Sequence, residues 1–506
     1  MSNTKSLDQD AELKKKLWSA CDTFRNVMDS NQYKDYILAF LFIKYISDIY
    51  EEKVTELRKK FKNDEDMVKR RLERERFVLH DKATFAWIFE NRNKDNIGAI
   101  INSVLHEIEE LNKVKLNNVF RGIDFNSEQN LGKPKDKLDR LRHLINDFKD
   151  LDLKPYLHNA DVIGNAYEYL IEKFAADAGK KGGEFYTPPE VATLLAKLVE
   201  AKPGNTIYDP TCGSGSLLIK AAKEVGSNDF FIYGQEVNGA TWSLARMNMF
   251  LHGIEQSDIQ WGDTIKSPAF IEKDSIKKFD IVIANPPFSK DKWWGAPTEK
   301  GKETEKKAEN DDYKRFWRGV PPTSRGDWAF ISHMIESLLP GGTCGVVVPH
   351  GVLFRGDAEG RIRKAVIEEN LIHAVVGLPP NLFYGAGISA ALLIFKKNRK
   401  QKDILFIDSS KHFLEGKKQN KLRDEDIGRI FETFKKRKTI DKFSYLASLD
   451  EVQKNDFNLN IGLYIDGSEE IASIDIRAVQ NDIEAIESEL SQVRAKMKKY
   501  LKELEI

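Results

Sequence analysis

The chain has 506 residues, with 79 Lys and Arg against 79 Asp and Glu. That length allows two or three domains and a large core. The balanced charge excludes a global basic field, so any work on nucleic acid needs a local field or a partner.

Cys21, Cys212 and Cys344 are scattered and give neither a disulfide framework nor zinc-ligand spacing. They fit a reducing, cytoplasmic setting. The N-terminus is polar throughout, unlike a signal peptide. The most apolar early stretch, Tyr36 to Ile43, is cut by Lys44 and is far short of the ~20 residues a membrane span needs. No membrane partner is expected, and the stretch reads as a buried helix.

Residues 1–155 read as a helical domain. Apolar residues recur at steps of three and four, as at Leu17, Cys21, Phe24 and Met28. Gly and Pro are sparse and no catalytic constellation stands out. A scaffold or partner-binding role fits this part best.

Residues 156–465 change grammar. Short β-branched runs alternate with helical stretches, at Thr206–Tyr208, Phe230–Tyr233, Asp280–Ala284, Gly345–Val348, Ala374–Leu378 and Leu392–Phe395. This predicts an α/β fold: a mostly parallel, Rossmann-like sheet with helices on both faces. Such sheets bind ligands at the carboxyl ends of their strands.

The motifs of this domain follow in order. "GGEFYTPPE" holds Glu184, Phe185, Tyr186 and Thr187, with a helix opening at Pro188–Pro189. "YDPTCGSGSLL" ends a strand at Asp209 and turns through Thr211, Gly213, Ser214 and Gly215. Glycine lets such a turn close tightly and approach a ligand, although a lone Gly-x-Gly is also an ordinary turn. The next strand ends in Glu236, about twenty residues past the glycines, where a carboxylate suits two ribose hydroxyls. The third glycine of a pyrophosphate cradle is missing. An adenosine cofactor without phosphate therefore fits better, and S-adenosylmethionine is that cofactor. Asp209 suits its amino group, and Asp263 of "WGDTI" suits its adenine amine. Each acid alone reads equally as a surface carboxylate; three on successive strand ends do not.

"IANPPFSK" follows a buried apolar strand. Methyl transfer to an exocyclic amine is hindered because the nitrogen lone pair is delocalised into the base. Two acceptors on its hydrogens would draw it toward tetrahedral geometry. Asn285 offers a side-chain oxygen, and Pro286 a carbonyl with no competing N–H. Pro286 and Pro287 fix that carbonyl's direction, and Phe288 offers a flat face for an extruded base. The bland alternative is a proline-terminated strand.

A long insert, Ser289 to Arg325, is rich in Lys, Glu and Asp but also carries Trp293, Trp294, Trp317 and Pro321–Pro322. Its role is open between solvated excursion and functional loop.

Residues 466–506 form a tail. Ile476, Val479, Ile483, Ile486, Leu490, Val493, Met497, Tyr500 and Leu504 step by three then four. That is a coiled-coil seam over about four heptads. It predicts a helix that pairs with a partner, or else packs back on its own domain.

"NPPF", "PTCGSGSLL", "GEFYTP" and "DVIGNAYEYLIEKFA" resemble the DNA adenine N6-methyltransferases. With "DWAFISHMIESLLPGG", "VVPHGVLFRG" and "GLPPNLFYGAGISAALLIFKK" they resemble, more narrowly, the modification subunit of type I restriction-modification systems. The resemblance implies S-adenosylmethionine as donor and adenine N6 in duplex DNA as acceptor. It implies a separate DNA specificity subunit bound by two copies of this chain, and a motor-nuclease subunit joining for restriction. Residue by residue, it places Asn285, Pro286, Pro287 and Phe288 in the catalytic box. It places Glu184, Phe185, Tyr186, Thr187, Asp209, Thr211, Gly213, Ser214, Gly215, Glu236 and Asp263 at the cofactor, with no metal. No target-reading segment follows the catalytic box, so sequence recognition is expected of the partner.

Three rivals remain at this stage. A glutamine methyltransferase acting on protein uses the same kind of box. A non-catalytic scaffold would keep a dead fold. A solitary methyltransferase would hide its recognition element in the helical domain and need no seam.

Overall fold

The computed structural model describes residues 2–25, 30–75, 77–157, 160–178, 186–294, 308–383, 389–417, 419–466 and 476–503. The chain forms two compact units, residues 1–465 and 466–506.

The N-terminal part is helical. Its longest helix, Ser30–Lys60, is apolar on all sides from Tyr36 to Ile43, and every residue of that run is buried. A helix without a polar face must be wrapped by others. Lys44, which breaks the run, is neutralised by Asp48 one turn on, at 2.6 Å. Leu17, Cys21 and Phe24 share one buried face, while Met28 lies outside the described residues. The helix Ala160–Ala178 puts Ile163, Tyr167, Leu170 and Phe174 into the same helical core. Leu244, Met247, Phe250 and Leu251 join it from the helix Gly239–Leu251 of the α/β part. The core is thus continuous across the expected boundary near residue 155.

Strands β1 (Asn205–Asp209), β2 (Phe230–Glu236) and β3 (Ser257–Trp261) are followed by a small hairpin, β4 (Ile271–Glu272) and β5 (Ser275–Ile276). Then come β6 (Phe279–Ala284), β7 (Leu338–Pro349), β8 (Ile372–Gly377), β9 (Ala390–Lys396), β10 (Asp403–Asp408) and β11 (Ser444–Ser448). Among the described residues, nine of these make one sheet in the order β11-β10-β8-β9-β7-β6-β1-β2-β3. The run β7-β6-β1-β2-β3 is parallel throughout. Only β9, between β7 and β8, and the edge strand β11 run antiparallel to their neighbours. All six strand segments expected from the sequence lie in this sheet.

Alternation explains how both faces are covered. In β6, Ile281 and Ile283 enter one apolar layer with the helix Pro189–Val199. Val282 and Ala284 enter the opposite layer with the helix Asp327–Glu336. Successive side chains of a strand point to opposite faces, so an unbroken apolar run means burial on both.

In the tail, Ile476–Glu503 is one helix. Its described seam residues Ile483, Ile486, Leu490, Val493 and Met497 are all exposed, from 46% to 64%. The side chains of Ile476, Val479, Tyr500 and Leu504 lie outside the described residues.

Gly345 of β7 faces that first helix closely. A Cβ there would meet Val199 Cγ1 at 2.7 Å and Leu195 Cδ1 at 2.8 Å. Gly345→Ala is therefore expected to lower stability by about 1–3 kcal/mol through overpacking. Denaturant titration of the two proteins checks it; an unchanged midpoint would mean that the helix is not seated so tightly.

Candidate active site

The ends of β1, β2, β3 and β6 supply the site. Asp209 closes β1 and is 1% exposed. Its Oδ1 accepts the backbone N–H of Thr211 at 2.8 Å. Burial pushes this carboxyl up to about 8, against the pull of that N–H, with the charge of Glu236 adding to the rise.

Glu236 closes β2. Its Oε2 accepts the N–H of Gly213 at 3.0 Å and its Oε1 the N–H of Asn238 at 2.7 Å. Asn238 in turn caps the next helix, accepting from Ala240 and Thr241. Burial raises the Glu236 carboxyl too, while its backbone donors hold it down. The turn between β1 and its helix needs glycine at two places, since Gly213 has φ +55° and Gly215 φ +80°. At Gly215 a Cβ would also press on Met249 Cε at 2.7 Å. Asn248 ties the same turn from below, donating to the Ser214 carbonyl at 3.0 Å.

Asp263 follows β3. Its Oδ1 accepts the N–H groups of Ile265 and Lys266 at 3.0 and 3.1 Å. Lys266 Nζ lies 3.7 Å from the other oxygen, and the side chain stays one-third exposed.

Asn285 follows β6 and is half-buried. Its Nδ2 donates to Thr187 Oγ1 at 3.1 Å. Its Oδ1 is buried without a hydrogen-bond partner. A buried acceptor is rarely left so, unless a ligand or water completes it. Pro286 is buried and Pro287 half-buried. Phe288 packs edge-on to Phe383, with centroids 5.7 Å apart.

These residues line two adjoining hollows. The smaller holds Tyr186, Thr187, Asp209, Gly213 and Ser214. The larger, about 670 Å³, holds Glu236, Asp263, Pro287, Trp293 and Phe330. Thr211 and Asn285 line both. Glu184 and Phe185 lie outside the described residues. The expected site residues that are described thus lie around two adjoining hollows, apart from Gly215, Pro286 and Phe288, which line neither.

Several members of the site escaped the sequence. Lys34 and Asp35 of the helical domain line the larger hollow. Trp293 and Phe330 wall it, beside the catalytic box. Asp327 holds the box in place: its Oδ1 accepts the N–H of Ser289 at 2.7 Å, where the backbone turns at φ +50°. Arg355 braces that carboxylate at 3.1 Å. The positive φ of a non-glycine residue has no sequence signal, which is why this contact was hidden.

Comparison with known proteins shows the family of the chain. The family described as N-6 DNA methylase matches residues 158–472, and the HsdM N-terminal domain matches residues 13–148. The chain belongs to the N-6 DNA methylase family. It is 36% identical to the type I restriction enzyme MjaVIII methylase subunit of Methanocaldococcus jannaschii, over 92% of this chain and 81% of that one. It is 29% identical to the MpnII methylase subunit of Mycoplasma pneumoniae, over 99% and 98%. A type I methyltransferase subunit from Streptococcus thermophilus has the same fold at a TM-score of 0.79, with 35% identity over 91% of this chain and all of that one.

This methylase is thus an adenine N6-methyltransferase of the type I kind, and S-adenosylmethionine is its methyl donor. The residues present fit that donor. The buried Asp209 carboxyl suits a cationic group, and the Glu236 carboxyl at the next strand end suits ribose hydroxyls. Among the described residues no His, Cys, Asp and Glu gather as a metal site, and the three cysteines are free and buried. None of the described helices is long and apolar enough to cross a membrane.

The raised Asp209 carboxyl makes a pH prediction. Folded, it keeps its proton to about pH 8; unfolded, it loses it near pH 4. Its contribution to stability is present at low pH and fades as pH rises through about 8. A bound cation favours the ionised form. Between about pH 6 and 8, binding of S-adenosylmethionine should release a proton and tighten with rising pH. Calorimetry in buffers of different ionisation enthalpy checks this, and heats independent of the buffer would contradict it.

Proposed function

We propose that residues 156–465 transfer a methyl group to N6 of an adenine turned out of duplex DNA, with Asn285, Pro286, Pro287 and Phe288 as the catalytic box. Asp209 holds the amino group of the cofactor, Glu236 its ribose and Asp263 its adenine. Tyr186, Thr187, Thr211 and the turn Gly213, Ser214 and Gly215 complete that side, together with Glu184 and Phe185. S-adenosylmethionine supplies the electrophilic methyl group. Asn285 Oδ1 accepts one hydrogen of the target amine and the Pro286 carbonyl the other. Both acceptors draw the lone pair out of the ring and are fixed in advance, so little reorganisation is needed. Phe288 steadies the extruded base by stacking, itself steadied by Phe383.

The observation that carries this reading is the unpartnered Oδ1 of Asn285, at the wall shared by both hollows. A buried acceptor left open where the two hollows meet serves the amine that takes the methyl group. Asn285→Ala should therefore spare cofactor binding and abolish transfer, since an oriented acceptor contributes ~3 kcal/mol or more to the transition state. Calorimetry with S-adenosylmethionine beside a radiolabelled transfer assay tests this. Turnover near wild type would refute the assignment.

Recognition of the DNA sequence is assigned to a separate specificity subunit carrying two copies of this chain, with a motor-nuclease subunit joining for restriction. Residues 1–155 would serve that assembly as a helical domain, and residues 466–506 as a coiled-coil tail. Two features support a partner: a net charge of zero, and an exposed apolar seam from Ile483 to Met497. Burying one such Leu or Ile is worth ~1.5–3 kcal/mol, so several together can hold a complex. Glu484, Glu487, Glu489, Arg494, Lys496 and Lys499 flank the seam and would set register. Deleting residues 470–506 should leave S-adenosylmethionine binding intact and abolish copurification with the specificity subunit. Normal assembly of the truncated chain would refute the tail's role, and loss of its fold would favour self-packing.

A further inference from the structure

In the insert between β6 and the helix Asp327–Glu336, the Arg315 guanidinium is an anchor. Arg315 is 1% exposed. Its Nε donates to Asp311 Oδ2 at 2.9 Å and its Nη2 to Asp311 Oδ1 at 2.6 Å. Nη2 also donates to the Ile265 carbonyl at 2.6 Å, and Nη1 to the Thr264 carbonyl at 3.1 Å. The fifth N–H, on Nη1, meets His333 Nδ1 at 3.2 Å. All five donors of the side chain are used.

The direction of the next bonds follows. Arginine only donates, so His333 Nδ1 carries no proton and its Nε2–H faces Tyr208 Oη at 3.1 Å. Burial, and then the charge of Arg315, keep this imidazole neutral. Tyr208 adjoins Asp209, and on its other side Thr264 Oγ1 donates to the Pro210 carbonyl at 2.5 Å. The chain of donors runs from Arg315 to the residue beside Asp209.

Both carbonyls that Arg315 grips belong to the two residues after Asp263. Asp263 itself is aimed by the N–H of Ile265 and of Lys266. Ile265 also sits in a separate apolar cluster with Trp293, Ala308, Phe316 and Phe330, most of it supplied by the insert and its following helix. The insert is therefore clasped around the turn that follows β3, by polar and apolar contacts alike.

We propose that Arg315 is a positioning residue for the cofactor site: the insert holds the Asp263 turn, and through it the carboxylate that receives the adenine. This rests on the adenine assignment of Asp263 made above. The fork is essential because it spans Asp311, two carbonyls and an imidazole at once. A lysine ammonium is a single point and cannot.

The test is a double-mutant cycle in the full chain, with S-adenosylmethionine affinity measured by equilibrium dialysis. Arg315→Lys should weaken binding ~10- to 100-fold, the scale of a small misplacement. Asp263→Ala should weaken it as well. The double variant should bind no worse than Asp263→Ala alone, because Arg315 acts through Asp263. In the assembled enzyme, Arg315→Lys should raise the KM for the cofactor more than it lowers kcat. Additive losses, or an Arg315→Lys protein that binds normally, would overturn the proposal while leaving Asp263 at the adenine. No loss in Asp263→Ala would overturn the adenine assignment, and the proposal with it. If Arg315→Lys fails to fold, hydrogen exchange on the unaltered chain decides. Cofactor should then slow exchange in both 263–266 and 308–318. Protection confined to 263–266 would overturn the role of the insert.

Discussion

Parallel pairing of β6, β1, β2 and β3 brings four carboxyl ends to one edge of the sheet. Every ligand contact assigned here hangs from that constraint. Asp209, Glu236, Asp263 and Asn285 are far apart in sequence, yet each stands at or just beyond the last residue of its strand. A strand end is where the backbone runs out of ladder partners, so its N–H groups are free to seek side chains. The carboxylates take these N–H groups: Asp209 from Thr211, Glu236 from Gly213 and Asn238, and Asp263 from Ile265 and Lys266. The turns are shaped by the same acids that are proposed to bind the ligand.

The same acids carry a cost. Burial raises both Asp209 and Glu236, and the charge of Glu236 raises Asp209 further. In the absence of a cation, a carboxyl so placed keeps its proton. A cationic group set against Asp209 relieves that tension by supplying the missing charge. Asn285 has the complementary problem, a neutral acceptor with nothing to accept, and in the proposed function the target amine would answer it.

What could be read from the sequence was what periodicity and backbone chemistry write locally. The glycines at 213 and 215 announced a turn, and both take positive φ. The alternating run before Asn285 announced a strand covered on two faces, as Ile281, Val282, Ile283 and Ala284 show. What stayed hidden were contacts between distant segments. Arg315 looks like one charge among many in a polar insert, and nothing local says that it is buried on two carbonyls fifty residues upstream. Asp327 looks like an ordinary first-turn acid of a helix, and its hold on Ser289 depends on a backbone turn with no residue signature. Lys34 and Asp35 reach the hollow only because the helical core continues into the α/β part. Tryptophans in the insert were the one visible hint, and Trp293 is indeed buried beside the box.

The central claim is that one edge of the sheet seats the methyl donor across two adjoining hollows, with Asn285, which lines both, set against the methyl group to be transferred. A crystal structure of the full chain with S-adenosylhomocysteine tests it most directly. The account predicts the amino group of the ligand at Asp209, its ribose at Glu236 and its adenine amine at Asp263, each within about 3 Å, with the sulfur facing Asn285. A ligand seated elsewhere, or with its sulfur turned away from Asn285, would contradict it.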